Sequence, residues 1–124
     1  MAEFLRIVAV FVALFVLIAT PTHGEVLSKQ DAILYKKAFT AAKKKQWKTA
    51  TQLSRKATSK LPAKVINWLR ARSASSGASF GDINEFLEDP DGWPRQFELR
   101  QRAEETMGNA LDHERALAWF RKHP

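Results

Sequence analysis

The sequence has no cysteine and only three histidines, His23, His113 and His123. Without cysteine there can be no disulfide, no thiolate metal site and no catalytic thiol. The histidines are not paired at the spacing of a helical metal site, and neither a glycine-rich phosphate loop nor a serine nucleophile turn is present. These absences argue against thiol, metal, nucleotide and serine-hydrolase chemistry, and we expect neither a metal nor a cofactor.

A strand pattern is also missing. After residue 24, no window alternates apolar and polar residues with β-branched side chains. Apolar residues recur instead at helical spacing, in about six segments joined by short loops. Because short loops force neighbouring helices to be antiparallel, the predicted fold is all-α, a short α-solenoid of antiparallel helix pairs.

Positive charge is concentrated in the first half of the chain. Residues 25–72 carry 13 Lys or Arg against two acids, whereas residues 73–124 carry six against ten. The net charge of the whole chain is +7. A basic half favours an anionic polymer, a membrane face or a nucleic acid as partner, while a solvated lysine-rich helix face is the simpler interpretation.

Residues 1–24 are typical of a secretory signal peptide. Arg6 gives a positive start, residues 7–19 form an unbroken apolar run, and cleavage is expected between Gly24 and Glu25. Such a run makes a helix of about 20 Å, short of the ~30 Å hydrocarbon core, although an uncleaved inner-membrane anchor is the alternative. We therefore expect a periplasmic protein, which would not meet nucleic acid.

Three helices are predicted in the basic half. Ser28 and Asp31 suggest a capping box before a helix that runs to about Lys45. Trp47 opens the second helix, in a pattern similar to one tetratricopeptide-like unit, and Pro62 fits the first turn of the third. The residues expected to face inward are Leu34, Tyr35, Ala38, Phe39, Ala41, Ala42, Ala50, Leu53, Ala57, Val65, Ile66, Trp68 and Leu69.

A helical hairpin with a tryptophan at its corner is predicted in the second half. Ser79 and Asp82 form a second capping box, residues 89–92 form the turn, and Pro94 is expected at the first position of the next helix. Gly108 ends that helix. The apolar faces are expected to contain Phe80, Ile83, Phe86, Leu87, Phe97, Ala103 and Met107, with Leu99 near the edge, and Ala116, Leu117, Trp119 and Phe120 in a last helix.

Glycoside cleavage would require a carboxylic acid of raised pKa. The candidate acids all lie beside polar neighbours on predicted wet faces, so we expect surface charges and no catalytic residue. The tryptophans could form an exposed glycan track, but their apolar faces favour core packing. The acids are Asp82, Glu85, Glu88, Glu98, Glu104 and Glu105; the tryptophans are Trp47, Trp68, Trp93 and Trp119.

The order of motifs resembles the N-terminal superhelical, U-shaped domain of soluble lytic murein transglycosylases. Asp89-Pro90 followed by Trp93-Pro94 and an Arg-Ala-Glu helix carries most of this resemblance, which covers roughly residues 28–124. The matching positions, which the resemblance implies are structural, are Trp68, Phe86, Leu87, Pro90, Trp93, Pro94, Leu99, Arg102, Ala103, Trp119 and Phe120.

The resemblance implies that residues 25–124 are part of an enzyme that cleaves the bond between N-acetylmuramic acid and N-acetylglucosamine in peptidoglycan, forming a 1,6-anhydro product. The catalytic glutamate of that family lies in a lysozyme-like C-terminal domain, so this segment is expected to scaffold or bind. That domain, or another protein, would cover the open end of the solenoid. The alternative is a free-standing periplasmic helical-repeat adaptor that binds a protein partner.

Overall fold

The computed structural model of the protein describes residues 26–124, which are all-helical and contain no strand. None of the helices in this range has the length and apolar character needed to cross a bilayer. The expected signal peptide and its cleavage position, Gly24 and Glu25, lie outside the described residues. The helices are α1 (Lys29–Lys43), α2 (Trp47–Lys56), α3 (Leu61–Arg72), α4 (Phe80–Glu88), α5 (Gln96–Met107) and α6 (His113–Lys122).

The helices α1 and α2 form an antiparallel hairpin that α3 covers. The turn between α1 and α2 is tight, with Lys45 in the left-handed region and the Gln46 N–H donating to the Ala41 carbonyl. Most of the inward positions are alanines, which let the helix axes approach closely. The buried residues of this first cluster are Tyr35, Ala38, Ala41, Ala42, Ala50, Ala57 and Ile66.

The capping box predicted at Ser28 and Asp31 is only half present. The Ser28 hydroxyl accepts from the Asp31 N–H at 3.1 Å, as expected. The Asp31 carboxylate, which is only 4% exposed, does not return to Ser28 but accepts from the Thr58 N–H at 2.9 Å and the Ser59 N–H at 2.8 Å. Since these amides in the α2–α3 loop lack helical partners, the carboxylate satisfies them and joins the start of α1 to that loop.

A second cluster is built by α4, α5 and α6 against the other end of α3. The capping box of Ser79 and Asp82 is confirmed, with both reciprocal hydrogen bonds present. The α4 face is confirmed as well, since its three largest inward residues are buried and Leu87 packs against them. The buried residues of this second cluster are Ala71, Ala78, Phe80, Ile83, Phe86, Leu99, Ala103, Met107 and Trp119.

The predicted inner face of α5 is confirmed for Ala103 and Met107 but was wrong for Phe97 and Leu99. Leu99 is completely buried, whereas Phe97 is 71% exposed. Residues advance by about 100° around a helix, so Leu99, Ala103 and Met107 form one stripe at spacings of four, and Phe97 lies about 200° away from Leu99. Leu99 therefore replaces Phe97 as the core residue of the first turn.

The start of α5 also differs from the prediction. Pro94 precedes the helix, which begins at Gln96 after Arg95 in a left-handed conformation with φ 65°. The Pro94 carbonyl accepts from the Trp68 indole at 3.2 Å, and the Trp93 carbonyl accepts from the Gln96 side chain at 2.7 Å. These contacts hold residues 93–94 in an irregular segment against α3, so the helix cannot begin there.

The corner tryptophan, Trp93, packs between two other rings. Its ring centroid lies 5.9 Å from that of Trp68 and 5.0 Å from that of Phe86. Its indole N–H donates to the Asp89 carboxylate at 2.7 Å, and Lys64 of α3 donates to the same carboxylate at 2.9 Å. Asp89 therefore connects the turn to both α3 and the corner ring.

The contacts of Asp89 should make the protein less stable at low pH. The hydrogen bond from Lys64, then those from the Trp93 indole and the Asp91 N–H, lower the pKa of Asp89 from 3.8 to about 2. Because the folded pKa lies below the unfolded one, the stabilisation is present above about pH 4 and is lost as the pH falls toward 2. We expect the melting temperature of Asp89→Asn to fall less steeply between pH 4 and pH 2 than that of the parent chain, and parallel slopes in thermal melts would contradict this.

The last helix, α6, rests on α4 through a single buried side chain. Trp119 packs edge-on against Phe80 at 6.0 Å and donates from its indole to the Asn84 side chain at 2.7 Å. The expected apolar face of α6 is otherwise only partly realised, because Leu117 and Phe120 are exposed and Ala116 is half-buried. With ten residues, α6 buries only a narrow stripe on one neighbour.

Candidate binding groove

A groove lies between α2, α3 and α4 on one side of the molecule. It consists of two adjoining cavities of about 350 Å³ each, which share Thr51, Arg55 and Arg70 in their walls. The cavity between α3 and α4 is bounded by Asn67 and Glu85, among others. We call these two cavities together the basic groove.

The helical repeat explains why these side chains meet. On α2, Lys48, Thr51, Gln52 and Arg55 recur at spacings of three and four, which places them along one stripe. On α3, Ala63, Asn67 and Arg70 follow the same rule. The two stripes face each other across the groove, and α4 closes one end with Asp82, Glu85 and Phe86.

The cations of α2 are open to an anionic ligand. Within residues 26–124, no carboxylate oxygen lies within 4 Å of Lys48 or Arg55. Arg70 is already engaged, because it donates to the Gly77 carbonyl at 2.7 Å and lies 3.6 Å from Asp82. The positive potential of the groove is therefore greatest on its α2 side.

The other walls of the groove suit a polar, partly flat ligand. Trp47 lies half-buried at one end and offers an aromatic ring. Thr51, Gln52 and Asn67 offer hydroxyl and amide groups, while Phe86 contributes apolar surface. Aromatic, amide and hydroxyl groups beside cations can bind a polar ligand that has a flat face and a negative charge.

None of the described carboxylates with a displaced pKa has the raised pKa that a catalytic acid needs. The pKa values of Asp31, Glu88, Asp89 and Asp112 are displaced, and all are lowered by hydrogen bonds, whereas protonation of a leaving group requires a raised pKa. In Glu88, the first cause is the hydrogen bond from Lys122 and the second is that from His123.

The remaining candidate acids lie at the surface or in ion pairs. Glu98 pairs with Arg72 at 2.7 Å and with Arg95 at 3.2 Å. Glu105 pairs with Arg102, and Asp82 caps α4. Glu85 and Glu104 are exposed, and of these only Glu85 lines the basic groove.

The histidines in the described range do not form a ligand set. His113 begins α6, and His123 lies 2.9 Å from a Glu88 oxygen and stacks on Trp119 at 4.7 Å. Within residues 26–124, no group of three His, Asp or Glu side chains is arranged to hold a metal ion.

The positions that carry the family resemblance lie mostly in the second cluster rather than in the basic groove. Phe86, Leu99, Ala103 and Trp119 are buried there, and Trp68, Leu87 and Trp93 pack against them. Pro90, Pro94 and Phe120 are exposed, and Arg102 is half-buried. Trp119 is buried, and Trp47, Trp68 and Trp93 are half-buried at cluster edges, so the described tryptophans do not form an exposed track.

The basic groove itself was not predicted from the sequence. The signal was present in the polar stripe of α2, whose cations recur at the same spacing as core residues do on an amphipathic helix. That stripe forms a groove only because Asn67 and Arg70 of α3 face it, and this depends on the tertiary packing of the two helices.

No protein-family model, curated protein or solved structure matches this chain.

Proposed function

We propose that this chain is a non-catalytic helical module that binds peptidoglycan in the basic groove. In this proposal the module is part of an exported lytic murein transglycosylase. That enzyme cleaves the bond between N-acetylmuramic acid and N-acetylglucosamine in the periplasm. In this proposal the helix pairs form a short α-solenoid that positions the glycan for a catalytic domain of that enzyme. The observation that supports binding most directly is the pair of cations, Lys48 and Arg55, without acidic partners in a groove that also contains an aromatic ring.

The ligand chemistry follows from the groove walls. Peptidoglycan carries sugar rings, N-acetyl groups and the carboxylates of its peptides. In this proposal Trp47 stacks on a sugar face, Thr51 and Gln52 bond to hydroxyl or acetamido groups, and Lys48 and Arg55 bind carboxylates. Lys48 and Arg55 are about 10 Å apart along α2, which leaves room for a short saccharide between them.

Reversing the charges of Lys48 and Arg55 should weaken binding to peptidoglycan. We expect Lys48→Glu/Arg55→Glu to lower co-sedimentation of the full chain with purified murein sacculi by about tenfold at low salt, since charge pairs become repulsions. Both side chains are exposed, so the circular dichroism spectrum should not change. The matched control is Lys36→Glu/Lys44→Glu, which makes the same change in net charge outside the basic groove.

Several outcomes would overturn the proposal. Equal sedimentation of both double variants would show that the basic groove is not the site. Sedimentation that does not weaken between about 50 and 500 mM salt would exclude a charge-driven contact. A chain that stays in the supernatant with sacculi would favour the adaptor function, and clearing of a murein suspension by the full chain would contradict a non-catalytic role.

A further inference from the structure

A second groove lies between α1 and α2, on the side of α2 away from the basic groove. It encloses a cavity of about 580 Å³. Ile33, Ala41 and Leu53 provide its apolar surface, and Ile33 is 51% exposed. Thr49 and Leu53 line it on α2, about 200° around the helix from Thr51 and Arg55. We call it the lysine-rimmed groove.

The rim of this groove carries charge of one sign. Lys36, Lys37 and Lys44 line it, all exposed, and no acidic side chain is among its walls. The carboxylate of α1, Asp31, is turned to the α2–α3 loop and lies outside the groove. Within residues 26–124, none of the three lysines has a carboxylate oxygen within 4 Å. Apolar side chains and positive charges without acidic partners thus line the same groove.

The dimensions of the lysine-rimmed groove suit a helix. From Ile33 to Lys44 it follows α1 for about 17 Å, which is the length of about three helical turns. The antiparallel helices α1 and α2 run side by side, and the groove between two such helices can accept a third helix. A flat bilayer would meet the exposed lysines before it reached Ala41 and Leu53, because these lie deeper between the helices.

We propose that the lysine-rimmed groove binds an acidic amphipathic α-helix of about three turns, supplied by a partner protein. Its apolar residues, at spacings of three and four, would contact Ile33, Ala41 and Leu53. Its Asp and Glu residues, on the flanks of that stripe, would pair with Lys36, Lys37 and Lys44. Charge complementarity selects an acidic partner, and a groove with apolar side chains along two packed helices suits a helix. This proposal is independent of the peptidoglycan function, because a different face of α2 carries it.

The test uses a fluorescein-labelled synthetic peptide with leucine at helix positions spaced by three and four and glutamate elsewhere. Fluorescence anisotropy with the full chain should show saturable binding. We expect Lys36→Glu/Lys44→Glu to weaken it by about tenfold or more, and Ile33→Ser by about fivefold, while Lys48→Glu/Arg55→Glu leaves it unchanged. A peptide of the same composition in scrambled order should bind at least about tenfold more weakly, since it lacks the apolar stripe.

Three results would overturn the proposal that the lysine-rimmed groove binds a helix. No saturable binding, or equal binding of the ordered and scrambled peptides, would overturn the proposal. Binding to phosphatidylglycerol vesicles that Lys36→Glu/Lys44→Glu abolishes, without peptide binding, would assign the groove to a membrane surface instead. Self-association in analytical ultracentrifugation that the same variant abolishes, again without peptide binding, would assign it to a second copy of the chain. The sacculus and peptide assays compare the same two double variants but expect opposite ones to weaken binding, so the two proposals fail separately.

Discussion

Leu99→Ala should lower the free energy of unfolding by about 2–5 kcal/mol, because it leaves a cavity among fully packed side chains. Leu99 is among the largest completely buried side chains of the described chain, together with Ile66 and Ile83. It is the first of the three residues, Leu99, Ala103 and Met107, that α5 presents to the second cluster. Urea denaturation followed by circular dichroism would measure the change, with the midpoint shifting and the slope unchanged.

The matched control for this substitution is Phe97→Ala on the same helix. Phe97 is larger than Leu99, yet its ring is mostly in solvent, so its removal should change the free energy of unfolding by less than about 1 kcal/mol. The hydrophobicity of the two residues alone would predict the opposite order. If Phe97→Ala proved more destabilising than Leu99→Ala, the orientation of α5 described above would be wrong.

Asp31→Asn should lower the melting temperature by about 10 °C, the second-largest effect that we expect. The carboxylate accepts from both the Thr58 and the Ser59 N–H groups, and an amide offers one acceptor oxygen and directs its own N–H groups at the other donor. The α2–α3 loop would then hold a buried donor without a partner. Asp91→Asn, an exposed aspartate in the turn before Trp93, is the control and should have little effect.

The pH dependence of this difference provides a second test. Hydrogen bonds from the Ser59 and then the Thr58 backbone N–H groups lower the pKa of Asp31. The stabilisation is therefore present above the ordinary value of 3.8 and is lost as the pH falls below it. The melting temperatures of Asp31→Asn and the parent chain should converge as the pH is lowered below about 4. A difference that is constant from pH 7 to pH 2 would mean that the carboxylate charge is not involved.

Helical periodicity predicted where the helices lie more reliably than which side chains face the core. Stripes of apolar residues located all the described helices, and short polar motifs located the Ser79 capping box and the Gly108 stop. Leu99 was placed near the edge and Phe97 inside, although only Leu99 shares the four-residue spacing of Ala103 and Met107. The rotation of about 100° per residue was therefore sufficient to place Leu99 on the buried face from the sequence.

Other features could not be predicted because they depend on hydrogen bonds and packing outside the helical repeat. Asp31 bonds to amides 27 and 28 residues away, and a local motif had assigned its carboxylate elsewhere. The serine-rich residues 73–79 resemble a linker, yet Arg70 donates to the Ser76 and Gly77 carbonyls and holds that loop against α3. The basic groove likewise exists only where α2 and α3 face each other. The Asp31 hydrogen bonds and the basic groove require the packing of the helices to be known first.

The helix α3 belongs to both clusters, since Ile66 lies in the first and Ala71 in the second. The boundary between the clusters therefore falls inside a helix and not in a connecting loop. A cut on either side of α3 would leave one hairpin with its apolar face in water. The described residues should therefore unfold as one cooperative unit, because separating the two hairpins would leave α3 with only one of them.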